Sequence, residues 1–261
     1  FGNFSMTTIR MSSDERDRAF AVLNAAEQPK AHENVWSRRC YAPMLIHAPE
    51  FANLRAQIAE QLPDYAIAFD VVFESRGNPV EWHCDYESLG PFVVPDRWAT
   101  VRDSHFMSVH FNLTEDGGAL TTNSSVWLSY VCYLAIVCTG IFGFCHRMLL
   151  WLLSPDGAST RRSNRALEGN VFDNTRLHKV TGGAPRTSYV VRLVRKGAVV
   201  LISKQSIVDG IKRSQACMAF RSMLDCVDEN ASDAAEIDWA RIPGVERERG
   251  ASSVTGSLIW R

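Results

Sequence analysis

The chain has little charge of one sign to spare: 28 Lys and Arg stand against 29 Asp and Glu, a net charge of -1. Binding to a polyanion draws on concentrated positive charge, so nucleic acid is not an expected partner. Paired cysteines are also missing. The seven cysteines lie at 40, 84, 132, 138, 145, 217 and 226 with no Cys-x-x-Cys spacing, which speaks against a zinc knuckle and against a disulfide framework. Reduced thiols, in the cytoplasm or another reducing compartment, are the expectation. Residues 1–6 carry no basic stretch leading into an apolar one, so a secretory leader is not expected. Internal repeats and low-complexity tracts are absent, which sets solenoids and linker arrays aside.

What is present is ordinary globular material, 261 residues with 46% hydrophobic and 22% charged, enough for one large domain or two small ones. Residues 13–28 open with Ser12 and Ser13 as candidate caps and carry Phe20, Val22, Leu23 and Ala26 at helical spacing, predicting a helix. A second is predicted over 49–61, where Phe51, Leu54, Ile58 and Leu62 make one apolar stripe before Pro63. From Tyr65 the period becomes two, with Ile67, Phe69, Val71 and Phe73 on one face, predicting a strand. Gly77-Asn78-Pro79 reads as a turn and 80–85 as a further strand. Over 105–113, Met107, Val109, Phe111 and Leu113 alternate with Ser108, His110 and Asn112, and the polar face needs partners if buried. Polar 155–168 reads as a loop. Strand character returns at 170–172, 176–180, 186–195 and 199–202, and the tail from 207 is expected to hold a helix around 217–227.

Residues 126–145 contain no charge and as a helix would be roughly 30 Å long, the length of a membrane span. The candidate site argues against a crossing. His83 and Asp85 are two apart at the end of a strand, so both side chains leave one face and can grip one ion, while Cys84 points away. His178 lies far on in the chain, beyond the apolar run, and a single crossing would put His178 and the His83–Asp85 pair on opposite sides of a bilayer. The run 126–153 is therefore expected as a helix or helical pair against the domain, walling an apolar substrate channel; membrane contact is the disfavoured alternative. A turn centred on Gly182 would make His178 and Arg186 cross-strand partners. A cation beside a metal makes sense when an anionic ligand lies between them.

Here the chain resembles the Fe(II)/2-oxoglutarate-dependent dioxygenases, over roughly 65–203 with an insertion at 124–168. The similar motifs are His83-x-Asp85, Val109-His110-Phe111-Asn112-Leu113 with Gly117-Gly118-Ala119-Leu120, Val171-Phe172-Asp173-Asn174 through His178, and Arg186-x-Ser188. The resemblance implies a chain that is mainly β with flanking helices: a double-stranded β-helix of the jelly-roll or cupin type, with helices at 13–64 and a helical tail at 204–261, all in one oxygenase domain. It further implies that His83, Asp85 and His178 ligate Fe(II). Arg186 and Ser188 would bind the distal carboxylate of 2-oxoglutarate, and Asn112 and His110 would contact the same cosubstrate. The His178-to-Arg186 interval is shorter than the family's usual one, which makes Arg192 the runner-up anchor. The implied reaction consumes O2, releases succinate and CO2, and oxidises a small-molecule substrate. Because Asp85 stands where halogenating relatives lack a carboxylate, hydroxylation, desaturation or oxidative ring closure is expected. The apolar run and the spare Arg76, Arg102 and Arg192 would suit an amphiphilic acid, as in cyclases resembling kainoid synthases. A peptide or protein hydroxylase, or a non-catalytic metal-binding jelly roll at a membrane surface, are the alternatives.

Overall fold

The computed structural model describes residues 8–25, 37–41, 45–84, 102–104, 106–115, 118–139, 159–163, 165–195, 199–201, 246–247 and 257–259. Helix α1 (Ser13–Ala25) begins at a reciprocal cap. Ser12 N–H donates to Glu15 Oε2 (2.7 Å) and Glu15 N–H donates to Ser12 Oγ (3.2 Å), a capping box that occupies two donors the helix cannot satisfy itself. The other Glu15 oxygen accepts the N–H of Leu54 (3.3 Å), in the first turn of α2 (Ala52–Gln61). One buried carboxylate thus finishes two helix starts. A 3-10 turn at Pro49–Phe51 leads into α2, so the stripe predicted over 49–61 is helical in two segments.

The strands are β1 (Ser37–Tyr41), β2 (Tyr65–Ser75), β3 (Val80–His83), β4 (Phe106–Asn112), β5 (Ala119–Asn123), β6 (Ser159–Ser163), β7 (Gly169–Asp173), β8 (His178–Val180) and β9 (Arg186–Arg195). They form a five-stranded sheet ordered β1-β2-β9-β4-β7 and a four-stranded sheet ordered β3-β8-β5-β6, antiparallel throughout. From β2 onward the chain passes from one sheet to the other at every connection except β5 to β6, which is the jelly-roll topology anticipated from the sequence. Short strands β10 (Val199–Leu201), β11 (Glu246–Arg247) and β12 (Ser257–Ile259) make a third sheet. The tail therefore contributes strands, and the helix expected at 217–227 lies outside the described residues.

The larger sheet buries its outer face under the helices. Val72, Val109, Phe111, Tyr189, Val191 and Leu193 pack with Leu23, Phe51, Leu54 and Ile58, all at most 2% exposed. Each such side chain is worth about 1.5–3 kcal/mol of burial, which makes this layer the stability core.

Two sequence expectations are corrected. Residues 155–168 include β6, paired to β5 from Ala119↔Ser163 to Asn123↔Ser159. All five β6 residues are exposed. A solvated edge strand of Ser, Thr and Arg carries no apolar alternation to reveal it, and the segment inserted between β5 and β6 shortens accordingly. The second correction concerns 181–185. This stretch does not fold β8 and β9 into a hairpin but carries the chain from the smaller sheet to the larger one. His178 pairs with His83 and Thr122, and Arg186 pairs with Ser75.

Glycines make that crossing possible. Gly77 has φ +84, and a Cβ there would lie 2.2 Å from the Gly183 carbonyl oxygen, while Gly183 N–H donates to Gly77 O (2.9 Å). Gly118 has φ +68, and a Cβ there would lie 2.5 Å from the Thr181 carbonyl oxygen. Both positions need a residue without a side chain.

The uncharged run begins as helix α3 (Val126–Thr139). Ser125 Oγ accepts Leu128 N–H (3.2 Å) as its cap. Ser129 and Cys132 face the body of the protein at 0% exposure, and Trp127 stands 66% exposed. Among the described residues no helix is long and apolar enough to cross a membrane. Residues 140–153 lie outside the described residues.

Candidate metal and anion site

His83 ends β3, His178 begins β8, and the two are directly in register. Their rings are 4.1 Å apart, centroid to centroid, inclined at 53°. Side chains directly opposite on neighbouring strands project from the same face. The next residues back and forward, Trp82 and Lys179, occupy the other face, where the Lys179 ammonium lies 4.7 Å from the Trp82 ring centroid. That cation–π contact clasps β3 to β8 on the outside. The histidines face inward, since Phe172, on the opposing sheet, packs 4.9 Å from the His178 ring.

Each histidine is oriented in the same way. His83 Nδ1 lies 2.7 Å from Glu81 O, and His178 Nδ1 lies 2.9 Å from Arg176 O. A backbone carbonyl can only accept, so Nδ1 carries a proton in both rings, and in the neutral ring the lone pair is on Nε2. An imidazole held through Nδ1–H to a carbonyl is the arrangement by which proteins aim a metal-ligating Nε2. The donor set fits a divalent transition metal. Asp85, the third ligand expected from the sequence, lies outside the described residues; among the described residues no group of three His, Cys, Asp or Glu converges.

The inner face of the larger sheet supplies the other half of the site. Arg186, Ser188, Val190 and Arg192 alternate along β9, opposite Asn112 (to Ser188), His110 (to Val190) and Ser108 (to Arg192) on β4. Arg186 is 5% exposed and Ser188 0%, yet Arg186 Nε and Nη1 and Ser188 Oγ have no hydrogen-bond partner among the described residues. Burial lowers the pKa of the Arg186 guanidinium. A buried cation and hydroxyl left unpaired are costly in a folded protein and are what an anionic ligand would satisfy.

Arg192 is engaged differently. Its Nη1 donates to Ser108 Oγ, whose proton goes to Asn174 Oδ1. Arg186 and Arg192 stand six residues apart on one strand, roughly 20 Å at strand rise, so they cannot grip the same carboxylate group. Phe172 is in register with Ser108 and hence with Arg192, which puts Arg192 towards the histidine end and Arg186 towards the glycine-closed end.

The remaining candidates are distributed as follows. Asn112 turns its side chain to Thr114, with Nδ2 donating to the Thr114 carbonyl and Oδ1 accepting the Thr114 hydroxyl (3.1 Å). His110 lies half-buried, its ring 6.2 Å from that of Phe73. Arg76 and Arg102 stand near opposite ends of β9. Arg76 follows Ser75, the partner of Arg186 at the start of β9. Arg102 holds its neighbour Asp103 through two 2.6 Å contacts, and the Asp103 carbonyl accepts from Arg195 at the far end of β9. A cavity of about 400 Å³ beside Arg186 is lined by Glu74, Ser75, Arg76, Thr114, Pro185 and Thr187; neither histidine reaches it.

Sequence reasoning missed the groups that orient the histidines. Backbone carbonyls at Glu81 and Arg176 leave no trace in residue identity. Ser129 was visible only as the one serine in the apolar run 126–139. Its hydroxyl accepts the N–H of Leu177 (3.1 Å), the residue before His178.

No family model matches the chain, and no curated protein matches its sequence. Solved structures similar in fold include the non-heme alpha ketoglutarate dependent carbocyclase SnoK from nogalamycin biosynthesis (12% identity, TM-score 0.48, covering 74% of this chain and 81% of that one). The epimerase SnoN from the same biosynthesis is similar at 12% identity and TM-score 0.47, covering 73% and 76%. EctD from S. alaskensis with bound Fe is similar at 15% identity and TM-score 0.47, covering 71% and 70%.

Proposed function

We propose that the chain is an Fe(II)- and 2-oxoglutarate-dependent oxygenase acting on a small, partly apolar, carboxylate-bearing molecule. The observation that supports it is the pairing, inside one jelly roll, of two histidines oriented by Nδ1–H bonds and a buried Arg186–Ser188 couple whose Nε, Nη1 and Oγ have no hydrogen-bond partner among the described residues. Iron with 2-oxoglutarate would supply an oxidant for an unactivated C–H bond, with O2 consumed and succinate and CO2 released.

The chain's own groups then have distinct tasks. His83 and His178, with Asp85 as third ligand, hold the metal at one end of the barrel interior. Arg186 and Ser188 take the distal carboxylate of the cosubstrate, which fixes its orientation along the barrel axis. Phe172 packs on the His178 ring, limiting its rotation and keeping water from that side. Arg192, at the histidine end and bonded to Ser108, and Arg102, bonded to Asp103, are the candidate contacts for a substrate carboxylate, while Arg76 lies at the opposite end. The apolar face of α3 and the run after it would accommodate an alkyl portion; hydroxylation and oxidative ring closure both suit that environment.

The test is binding followed by turnover. Purified protein should bind Ni(II) and 2-oxoglutarate without oxygen, and with Fe(II) and air should release succinate. His178→Ala should abolish metal binding. Protein that binds 2-oxoglutarate equally well with and without metal, or forms no succinate, would sink the assignment.

A further inference from the structure

Helix α3 contributes one group to the neighbourhood of the histidines, and it does so through the backbone. Ser129, 0% exposed on the second turn of α3, accepts Leu177 N–H (3.1 Å) and donates its own proton to Ser125 O (2.9 Å). Leu177, also 0% exposed, is held on its other side by Asn123 N–H, which donates to Leu177 O (2.8 Å). Asn123 Oδ1 accepts Ser125 N–H (2.8 Å), and Ser125 caps α3. A closed circuit runs from the end of β5, through the cap and first turns of α3, to the residue that precedes His178.

β8 has only three residues, and His178 stands at its first position, between His83 and Thr122. The flanking peptide on the N-terminal side is fixed from α3, and the Arg176 carbonyl that orients the ring is one residue further back. We infer that Ser129 is a positioning residue for His178, and that docking of α3 and loading of the metal are coupled through the Ser129–Leu177 hydrogen bond. By reciprocity, whatever steadies α3 tightens the metal site, and the metal steadies α3. A substrate seated against α3 would then be sensed at His178. The inference rests on the metal reading proposed above.

Ser129→Ala removes the acceptor and leaves the Leu177 amide buried without a partner. Partners that orient a metal-ligating histidine cost roughly 10–100-fold in metal affinity when lost, and acting through one peptide bond the expected loss for Ser129→Ala is about tenfold at the low end of that range. Ni(II) titration calorimetry of the full chain reads it directly. Ser129→Thr, which keeps the hydroxyl, should recover most of the loss, and Trp127→Ala, on the exposed face of the same helix, should leave affinity unchanged. Hydrogen exchange of the unmodified protein gives a second readout that needs no variant to fold: Ni(II) should slow exchange at 126–132 and at Leu177. Ser129→Ala with wild-type affinity, or no change in α3 exchange on metal addition, overturns the coupling. If the unmodified chain binds no Ni(II), the metal reading itself falls and carries the coupling with it; Ni(II) binding abolished by His178→Ala but indifferent to Ser129→Ala leaves the metal reading standing and removes only the coupling.

Discussion

The two faces of the larger sheet use the same strands and treat buried polar groups in opposite ways. On the outer face, Asp70 is 0% exposed and its Oδ2 accepts both Ile46 N–H (2.7 Å) and the Tyr189 hydroxyl (2.6 Å). Glu15 ties α1 to α2 in the same manner. On the inner face, one residue earlier along β9, Ser188 Oγ has no partner among the described residues, nor do two nitrogens of Arg186. On the outer face, Asp70 Oδ2 and Glu15 are tied to backbone and hydroxyl donors of neighbouring elements and serve stability. The polar groups at the Arg186 end of the inner face are enclosed without such partners, a cost that folding alone gives no reason to retain. The contrast separates a structural network from the proposed binding site within a single strand.

The sharpest way to break that contrast is Arg186→Met. If the guanidinium awaits an anion, 2-oxoglutarate affinity should fall about 100-fold, as expected for losing charge-assisted hydrogen bonds worth about 1.5–3 kcal/mol. The melting temperature should hold or rise, because a buried unpaired charge is removed. Calorimetry with the metal-loaded protein and a thermal melt check the two signs together, and a fall in both would make Arg186 structural.

Tyr189→Phe should behave in the reverse sense. Denaturant unfolding should show a loss of about 1–3 kcal/mol, since Asp70 stays buried with one donor fewer, while 2-oxoglutarate binding is unchanged. A change in ligand affinity there would mean that the two faces are not independent.

The smallest effect concerns Tyr65, whose hydroxyl donates to Ser104 O (2.7 Å). Burial, with the Asp173 charge second, raises its pKa from 10.0 to about 12. The folded value exceeds the unfolded one, so its contribution to stability is complete below pH 10 and is lost as pH climbs from 10 towards 12. Tyr65→Phe should remove that component of alkaline destabilisation and leave neutral-pH stability nearly unchanged. Melting temperatures across the alkaline range would reveal it, and identical alkaline curves for the two proteins would argue that Tyr65 ionises normally.

What could be read from the residues alone was anything with a local period or a short-range chemical logic. Alternation over 65–75 and 105–113 announced strands β2 and β4, and the two faces of the latter were already unlike in sequence. Ser12 and the acidic first turn marked the start of α1. His83, His178, Arg186 and Ser188 were singled out as candidates by the motif resemblance and their strand positions. The motifs pointed to a jelly roll, and the strand order of the two main sheets is that of one.

Tertiary structure decided how those residues meet. Sequence separation suggested that His178 and Arg186 pair across a hairpin, but a five-residue link fits a crossing between sheets as readily as a reversal within one, and the packing of Gly77 against Gly183 selects the crossing. It likewise assigned His178 to His83, separated Arg76 from Arg102, and showed β6, whose solvated side chains carry no apolar signal. Above all, it brought Ser129 to Leu177. A hydroxyl meeting a backbone amide 48 residues away follows from the path of the whole chain, because amides are chemically alike and only the fold chooses among them.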